Sequence, residues 1–398
     1  MPDDQLPSVD HVLALLDAGV GPRPAAPVAL AEALGCGLAA DVMAESDQPA
    51  FDRSAIDGFA VAAGAAAGIF VLGGDILPGE PAPATPEEGA ARRVFTGSAV
   101  PQNCGLVMVE DAVVNGDRVT LKRAGSTELI RRRGSSARAG ACLLATGDRI
   151  GPGELAVLAS AGVTRPRVVP PPRVLHLTTG REVVPADTAP GPGQIRDTNG
   201  PLVQALLRTA GAVPLAAHHV DESISALVTA VQAAGEFELL LVSGGSSVGE
   251  HDRTPQALEA LGFELLVRRV NVRPGKPLLV ARRGDQWAFG LPGNPVSHYA
   301  AFHVFVARAI RRMRGLPVAA FRRVRLGAGV ALSAHARETF WPARLGPEAT
   351  AAVVYPRPWL DSGDLAALAG INALIRLPAG SAPVAGQEVE VVVCPQPV

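Results

Sequence analysis

The chain has 398 residues, of which 48% are hydrophobic, 19% charged and 4% aromatic, with a formal net charge of −2 at pH 7. This length is typical of two to four domains with large buried cores, and the lack of a basic surplus and of aromatic platforms argues against binding to nucleic acid. The four cysteines are far apart and give neither a zinc motif nor a disulfide framework. The amino terminus is acidic, and no apolar run approaches the ~18 residues of a membrane span, so we expect a cytoplasmic protein without membrane contact.

Helical patterning marks the start of the chain, over residues 8–45. Ser8 or Asp10 is the expected N-cap of a first helix that Gly19 ends, and a second helical stretch is predicted at 28–35.

Short apolar runs broken by glycine and proline follow over residues 46–139 and predict a β-rich module. Within it, Asn-Gly-Asp at 115–117 predicts a hairpin turn. A short helix is predicted at 151–163, and the proline-rich run at 165–173 indicates a domain boundary.

Strand and helix patterns alternate after this boundary and predict βαβ units, hence a parallel sheet covered on both faces. The predicted strands are 174–180, 213–220 and 237–245, and the predicted helices are 200–212, 223–235, 254–262 and 295–315. Residues 320–398 predict a small β module, in which GDLAALAG (363–370) is the one candidate helix.

Ligands of such sheets bind outside the carboxyl ends of the strands, where four loops are candidates. These loops are TTGRE (178–182), VDE (220–222), SGGSSVGEHDRT (243–254) and GLPGNP (290–295). The third contains small residues and glycines that let backbone N–H groups approach an anion, although for a glycine loop taken alone a simple Gly/Ser turn is slightly favoured.

Carboxylates at these loops favour a divalent cation, because acidic side chains facing an anion repel it unless a metal ion lies between them. The candidates are Glu182, Asp221, Glu250 and Asp252. Taken singly, Asp221 as a helix N-cap and Glu250 as a solvated charge are the plainer interpretations.

Only two of the 36 basic residues are lysines, Lys122 and Lys276. Lys276 lies in a Pro-Gly-Lys-Pro corner, where a compact ammonium meets an oxyanion more easily than a planar guanidinium does. We therefore expect Lys276 to bind an anion, with Arg273 as a second cation; chance placement of a rare residue is the alternative.

Several long motifs together resemble the MoeA family of molybdopterin molybdenumtransferases, which includes the E domain of gephyrin. They are FDRSAIDGFAV (51–61), FTGSAVPQNCGLVMVED (95–111), IRRRG (130–134), TTGRE, SGGSSVGEHD, RPGKP and GLPGNPVS, in the family's order and spacing. The resemblance covers nearly the whole chain. It implies a multidomain α/β fold: an elongated helical linking region (1–45 plus 140–170), a β-rich lid domain (46–139), a molybdopterin-binding-like α/β domain (171–316) and a C-terminal β-barrel (320–398).

The resemblance implies the last step of molybdenum cofactor assembly, in which molybdate is inserted into adenylylated molybdopterin and AMP is released with Mg²⁺ present. By motif position it implies catalytic roles for Asp57, Glu182, Asp221, Asp252 and Lys276, with Glu182 and Asp252 as metal ligands. It implies substrate binding by Thr96, Thr179, Gly244, Gly245, Ser246, Ser247, Arg273, Pro292, Asn294 and Pro295. A homodimer follows from it too, because Asp57 and Thr96 of family members face the partner subunit; from the residues alone, Asp57–Gly58 is an ordinary hairpin turn. Other proteins of the cofactor pathway are further expected partners.

The chain departs from the family pattern at several positions: Ser135 and Ser136 replace Glu-Asp, and Arg181, Ser246, Arg273 and Pro342 replace aspartate, valine, lysine and arginine. Arg181 makes the expected site more positive than usual. The alternative hypothesis is therefore a paralogue of altered activity that binds the cofactor or acts as a scaffold.

Overall fold

The computed structural model describes residues 6–216, 218–244, 253–318, 320–346 and 352–395. Its first elements are α1 (Val9–Gly19), β1 (Ala26–Pro27), β2 (Gly37–Leu38) and β3 (Val42–Met43). Ser8 is the N-cap of α1, since its side chain accepts a hydrogen bond from the backbone N–H of His11. This confirms the first of the two predicted caps.

The second predicted helix, at 28–35, is wrong: only Leu30–Glu32 form a 3₁₀ turn. In that helix the backbone N–H of Gly35 would donate to the Ala31 carbonyl, but it donates to the Ile150 carbonyl at 2.7 Å instead. Contacts with a distant segment of the chain therefore override the local preference for a helix.

The lid, which we define as residues 46–139, is β-rich as predicted. Its strands are β4 (Arg53–Ser54), β5 (Gly58–Ala62), β6 (Gly68–Ile76), β7 (Ala90–Val94), β8 (Cys104–Met108), β9 (Ala112–Asn115), β10 (Arg118–Leu121) and β11 (Ile130–Arg131). Six of them form one sheet in the order β8-β5-β7-β6-β10-β9, and β11 pairs with β4. The predicted hairpin is confirmed, because Asn115 pairs with Arg118 and Gly116 has φ 63°.

The chain then returns to its first part. β12 (Cys142–Leu144) pairs with β3, α2 (Pro152–Ser160) forms the predicted helix, and β13 (Arg167–Val169) pairs with both β1 and β2. The proline-rich run at the predicted boundary thus contains a strand.

The α/β part is built on a seven-stranded sheet in the order β17-β14-β19-β23-β22-β20, with β18 also paired to β14. The strands of this sheet are β14 (Arg173–Thr178), β17 (Val213–Pro214), β18 (His218–His219), β19 (Leu239–Ser243), β20 (Glu264–Val267), β22 (Leu279–Arg283) and β23 (Gln286–Leu291). Three further strands of the α/β part lie outside it: β15 (Val183–Val184) pairs with β16 (Ile195–Arg196), and β21 (Val272–Arg273) pairs with a later strand. Its helices are α3 (Asn199–Thr209), α4 (Ile224–Ala233), α5 (Thr254–Ala260), α6 (Pro295–Ala301) and α7 (Ala307–Met313), the last two joined by a π-helical turn at Phe302–Val306. Separate apolar cores on the two faces confirm that the sheet is covered on both sides.

The prediction of a parallel sheet is only partly right. β14, β17, β18, β19 and β23 pair in parallel, whereas β22 pairs antiparallel with both β23 and β20. Arg283 pairs with Gln286, so Gly284 and Asp285 form a two-residue hairpin, with Gly284 at φ 57°. Such a short connection allows only an antiparallel pair.

The last strands close into a barrel: β24 (Arg322–Leu326), β25 (Glu338–Leu345), β26 (Val353–Pro356), β27 (Ala373–Leu377) and β28 (Glu388–Val393). Closure comes from the pairing of β25 with β27, and β21 of the α/β part adds to β25. Leu365–Leu368 form a 3₁₀ turn. Throughout the described residues, the helices are too short or too polar to cross a membrane.

Candidate active site

Three loops begin side by side at one end of the α/β sheet. Thr178, Ser243 and Leu291 lie opposite one another at the ends of β14, β19 and β23, and we call this end the sheet edge. Beyond this row, the N–H of Thr179 donates to the Ser243 carbonyl at 2.8 Å. The TTGRE loop, the described start of the glycine-rich loop at Ser243–Gly244, and the GLPGNP loop therefore begin next to one another.

Gly244 leaves the sheet edge in a conformation that favours glycine, with φ +89°. A β-carbon there would lie 2.5 Å from the carbonyl oxygen and 2.9 Å from the Oγ1 of Thr179, which is 5% exposed. A side chain at 244 would push this loop away from Thr179. The predicted site residues Gly245, Ser246, Ser247 and Asp252, and also Glu250, lie outside the described residues.

The two described carboxylates, Glu182 and Asp221, are both exposed. Asp221 accepts a hydrogen bond from the N–H of Ser223 at 2.9 Å, and Ser223 is the N-cap of α4. The N-cap interpretation of Asp221 was therefore wrong. The Ser223 backbone donor, and to a smaller extent the charge of Arg181, lower the pKa of Asp221. Arg181 thus acts electrostatically on a carboxylate of the same loop cluster.

Lys276 lies half-buried in a loop that its own carbonyl closes by accepting the N–H of Val270 at 2.9 Å. The preceding Gly275 has φ +105°, and a β-carbon there would lie 3.6 Å from the Ser297 carbonyl of α6. The Pro-Gly-Lys-Pro corner therefore packs beside the helix that follows GLPGNP.

Arg273 contacts the barrel: its guanidinium lies 4.8 Å from the centre of the Trp359 ring, a cation–π geometry. Burial, together with the nearby charge of Arg337, lowers the pKa of Arg273. The second predicted cation thus stacks at the boundary between the α/β part and the barrel.

The GLPGNP loop is held from two further sides. Asn199 at the start of α3 donates through Nδ2 to the Gly293 carbonyl at 2.7 Å. Asn294 donates through Nδ2 to the Ser362 hydroxyl, also at 2.7 Å, and Pro295 begins α6. These contacts tie the loop to both α3 and the barrel.

A buried polar cluster beneath the sheet edge was missed by the sequence analysis. It consists of His176 on β14, Ser243 on β19 and His298 on α6. A histidine inside the apolar strand VLHLTT was a signal available in the sequence, but its partners are 67 and 122 positions away.

In the lid, the structure joins the two predicted residues to each other. The N–H and Oγ1 of Thr96 both donate to Asp57 Oδ1, at 2.7 and 3.0 Å, on an exposed surface. The backbone N–H of Thr96 is the main cause of the lowered pKa of Asp57. The hairpin interpretation of Asp57–Gly58 was wrong, because β4 and β5 belong to different sheets.

Two of the departures from the family pattern, the Ser135–Ser136 pair and Pro342, take part in backbone hydrogen bonds within the protein. The N–H groups of Ser135 and Ser136 donate to the carbonyls of Arg132 and Gln48. Pro342 is buried in β25, and its carbonyl accepts the N–H of Arg357 at 2.9 Å. Two of the three arginines of IRRRG pair with carboxylates earlier in the lid, Arg132 with Asp52 and Arg133 with Asp47.

The described residues contain no cluster of three or more His, Cys, Asp or Glu side chains that could hold a metal ion. Mg²⁺ needs fewer protein ligands, because it is usually bound by one or two carboxylates plus substrate phosphates. The Glu182 carboxylate is exposed, so its oxygens are accessible for such a role.

Together these features define a class: a multidomain α/β protein with a lid, a closed barrel and a candidate site at the carboxyl ends of parallel strands, where α/β enzymes bind their ligands. Family comparison divides the chain in the same order. The MoeA N-terminal region (domain I and II) matches residues 7–162, a probable molybdopterin binding domain matches 176–312, and the MoeA C-terminal region (domain IV) matches 323–394.

The chain belongs to the MoeA family. It is 30% identical over 370 residues to a molybdopterin molybdenumtransferase of Staphylococcus aureus, covering 90% of this chain and 88% of that protein. The Staphylococcus epidermidis protein of the same name is also 30% identical, over 88% of this chain and 87% of its own length. The molybdopterin biosynthesis moeA protein of Pyrococcus horikoshii OT3 has the same fold, with TM-score 0.80 at 24% identity over 98% of this chain and 100% of that one. The predicted family and fold class are confirmed.

Proposed function

We propose that this chain is a molybdopterin molybdenumtransferase, which inserts molybdate into adenylylated molybdopterin and releases AMP. The observation that carries the proposal is the convergence of the Thr179, Gly244 and Pro292 loops at the sheet edge, in a chain whose relatives carry that enzyme name. The proposal includes the four domain ranges expected from the sequence and a location in the cytoplasm.

The roles at the sheet edge follow from chemistry. Glu182 and Asp252 would hold Mg²⁺, which supplies positive charge between carboxylates and substrate phosphates. Lys276 would bind an oxyanion of molybdate or phosphate through its compact ammonium. The remaining proposed contacts with substrate are Thr179, Gly244, Gly245, Ser246, Ser247, Arg273, Pro292, Asn294 and Pro295, and Asp221 would act as a further catalytic carboxylate.

The lid would complete the site in a homodimer. Asp57 and Thr96 are exposed and hydrogen-bonded to each other, so they form a preformed polar pair that a partner subunit's sheet edge is able to meet. Transient contact with other proteins of the cofactor pathway is part of the same proposal. The scaffold hypothesis is not favoured, because the relatives described above are named as transferases.

The test is AMP release by the purified protein from adenylylated molybdopterin, with Mg²⁺, in the presence and absence of molybdate. We expect release that depends on molybdate and is lost in Glu182→Gln. A protein that binds the pterin tightly without releasing AMP would instead support the scaffold hypothesis.

A further inference from the structure

The buried cluster beneath the sheet edge forms a continuous chain of hydrogen bonds. His176 and His298 are fully buried and Ser243 is 2% exposed. The Ser243 hydroxyl makes a short hydrogen bond with Nε2 of His176 and lies 3.2 Å from Nε2 of His298. His298 reaches the Pro292 carbonyl through Nδ1 at 2.9 Å. These hydrogen bonds therefore connect β14, through the end of β19, to the GLPGNP loop.

One carbonyl determines the direction of every bond in this chain. The Pro292 carbonyl only accepts, so Nδ1 of His298 carries its proton and Nε2 is left as an acceptor. The Ser243 hydroxyl must then donate to His298, and its oxygen accepts from a protonated Nε2 of His176. This leaves an acceptor at Nδ1 of His176, the atom that is buried without a hydrogen-bond partner among the described residues.

This assignment requires both imidazoles to be neutral, and their surroundings agree. Burial, and secondarily the charge of His298, lowers the pKa of His176 to about 3. Burial lowers the pKa of His298 to about 4, against the smaller opposing effects of the Pro292 carbonyl and the Asp197 carboxylate.

We propose that Ser243, His298 and His176 are positioning residues that lock the GLPGNP loop to the start of the glycine-rich loop. The Ser243 hydroxyl connects the two loops, because Ser243 directly precedes Gly244 and its hydrogen-bond partner His298 orients the Pro292 carbonyl. None of the three is a catalytic residue, since their burial keeps them away from substrate. The inference rests on the proposed function only where AMP release is the measurement.

Packing alone does not require a polar cluster here, because replacing matched hydrogen-bonding partners by apolar groups of similar shape is often nearly neutral for stability. What such a replacement removes is the directional link between the two loops. Displacement of substrate-positioning groups by about 1 Å can lower a rate by about a hundredfold. A role in positioning therefore predicts an activity loss without a matching stability loss.

The first test needs no substrate. Long-range ¹H–¹⁵N spectra of the intact protein with labelled histidine, assigned through the His176→Leu and His298→Leu variants, report which ring nitrogen carries the proton. We expect His298 protonated at Nδ1, His176 at Nε2, and no titration of either between pH 5 and 8. The reverse tautomers, or titration in that range, would overturn the proposed chain.

The second test compares three variants by AMP release and thermal melting: Ser243→Ala, Ser243→Thr and the triple variant His176→Leu/Ser243→Ala/His298→Leu. The control is His303→Leu, which removes another buried histidine from the π-helical turn that follows α6. We expect kcat/KM to fall about ten- to a hundredfold in Ser243→Ala and in the folded triple variant, with recovery in Ser243→Thr and little change in the control. Unchanged kcat/KM in a folded Ser243→Ala protein would overturn the positioning role. If the wild type itself releases no AMP, the proposed function has failed, and the spectra still decide the hydrogen-bond chain.

Discussion

At the sheet edge, Thr179, Gly244 and Pro292 are fixed by the register of three adjoining strands and by buried hydrogen bonds, whereas in the lid Asp57 and Thr96 fix each other on an exposed surface. Substitutions in the two regions should therefore differ in how far a loss of activity is accompanied by a loss of stability. Backbone substitutions at the sheet edge should damage both stability and activity, while exposed side chains in either region should affect activity alone.

The largest effect is expected from Gly244→Ala, which tests the rigid half of this comparison. The positive φ and the overlap with the Thr179 carbonyl should together lower the free energy of unfolding by at least about 2 kcal/mol and greatly reduce AMP release. Gly235→Ala is the control, because Gly235 has φ 75° but no atom within 4 Å of an added β-carbon. Urea denaturation of both variants measures the difference, and equal losses would show that steric contact with Thr179 is unimportant.

Glu182→Gln should separate activity from folding at the same edge. If Glu182 binds Mg²⁺, AMP release should fall about a hundredfold, while the free energy of unfolding changes by less than about 0.5 kcal/mol because the side chain is exposed. Glu238→Gln should instead lower the free energy of unfolding and leave AMP release nearly unchanged, since Glu238 is paired with Arg23 and Arg173. A melt that falls as steeply as activity in Glu182→Gln would assign Glu182 a structural role.

Lys276→Arg should lower kcat/KM about tenfold or more despite keeping the charge, because a planar guanidinium meets an oxyanion with a different geometry from that of a compact ammonium. Arg273→Lys is the matched exchange. It loses the planar contact with Trp359, worth about 0.5–1 kcal/mol, so we expect a change of a few-fold only. Steady-state kinetics with circular dichroism as the folding check distinguish the two; full activity in folded Lys276→Arg would show that lysine is not required.

The lid is tested by complementation. Asp57→Ala and Glu182→Ala chains should each be inactive as homodimers. When an equal mixture is refolded, about half of the dimers are heterodimers, and one of the two clefts of each heterodimer is intact. About a quarter of wild-type activity should return. No recovery, with dimer formation verified by light scattering, would place the lid pair and the sheet edge of one chain in the same site.

The buried histidines also predict a pH dependence of stability. The pKa values of His176 and His298 fall from 6.5 in the unfolded chain to about 3 and about 4 in the fold, so the unfolded state binds more protons once the pH drops below about 6.5. Stability should therefore decrease as the pH falls from 6.5 towards 4. Urea midpoints at pH 7, 6 and 5 should decline less in the triple apolar variant; equal slopes would mean that these histidines do not contribute.

Much of the architecture was predictable because short-range patterns carry it. The cap at Ser8, the hairpin at Asn115–Asp117 and the alternation of strands and helices after residue 173 are each set by neighbouring residues. The same alternation places candidate loops at strand ends, and the long motifs in register identify the family.

Only the tertiary structure decided which residues meet. Asp57 pairs with Thr96 across 39 positions, and Ser243 joins His298 across 55. It also placed the Arg273 guanidinium over the Trp359 ring, and it paired the backbone N–H of Gly35 with the Ile150 carbonyl where a helix had been predicted. Local patterns record the energetics of adjacent residues, whereas these contacts depend on how separate elements pack. A polar residue's partner in a core is therefore not specified until the fold brings the distant segment to it.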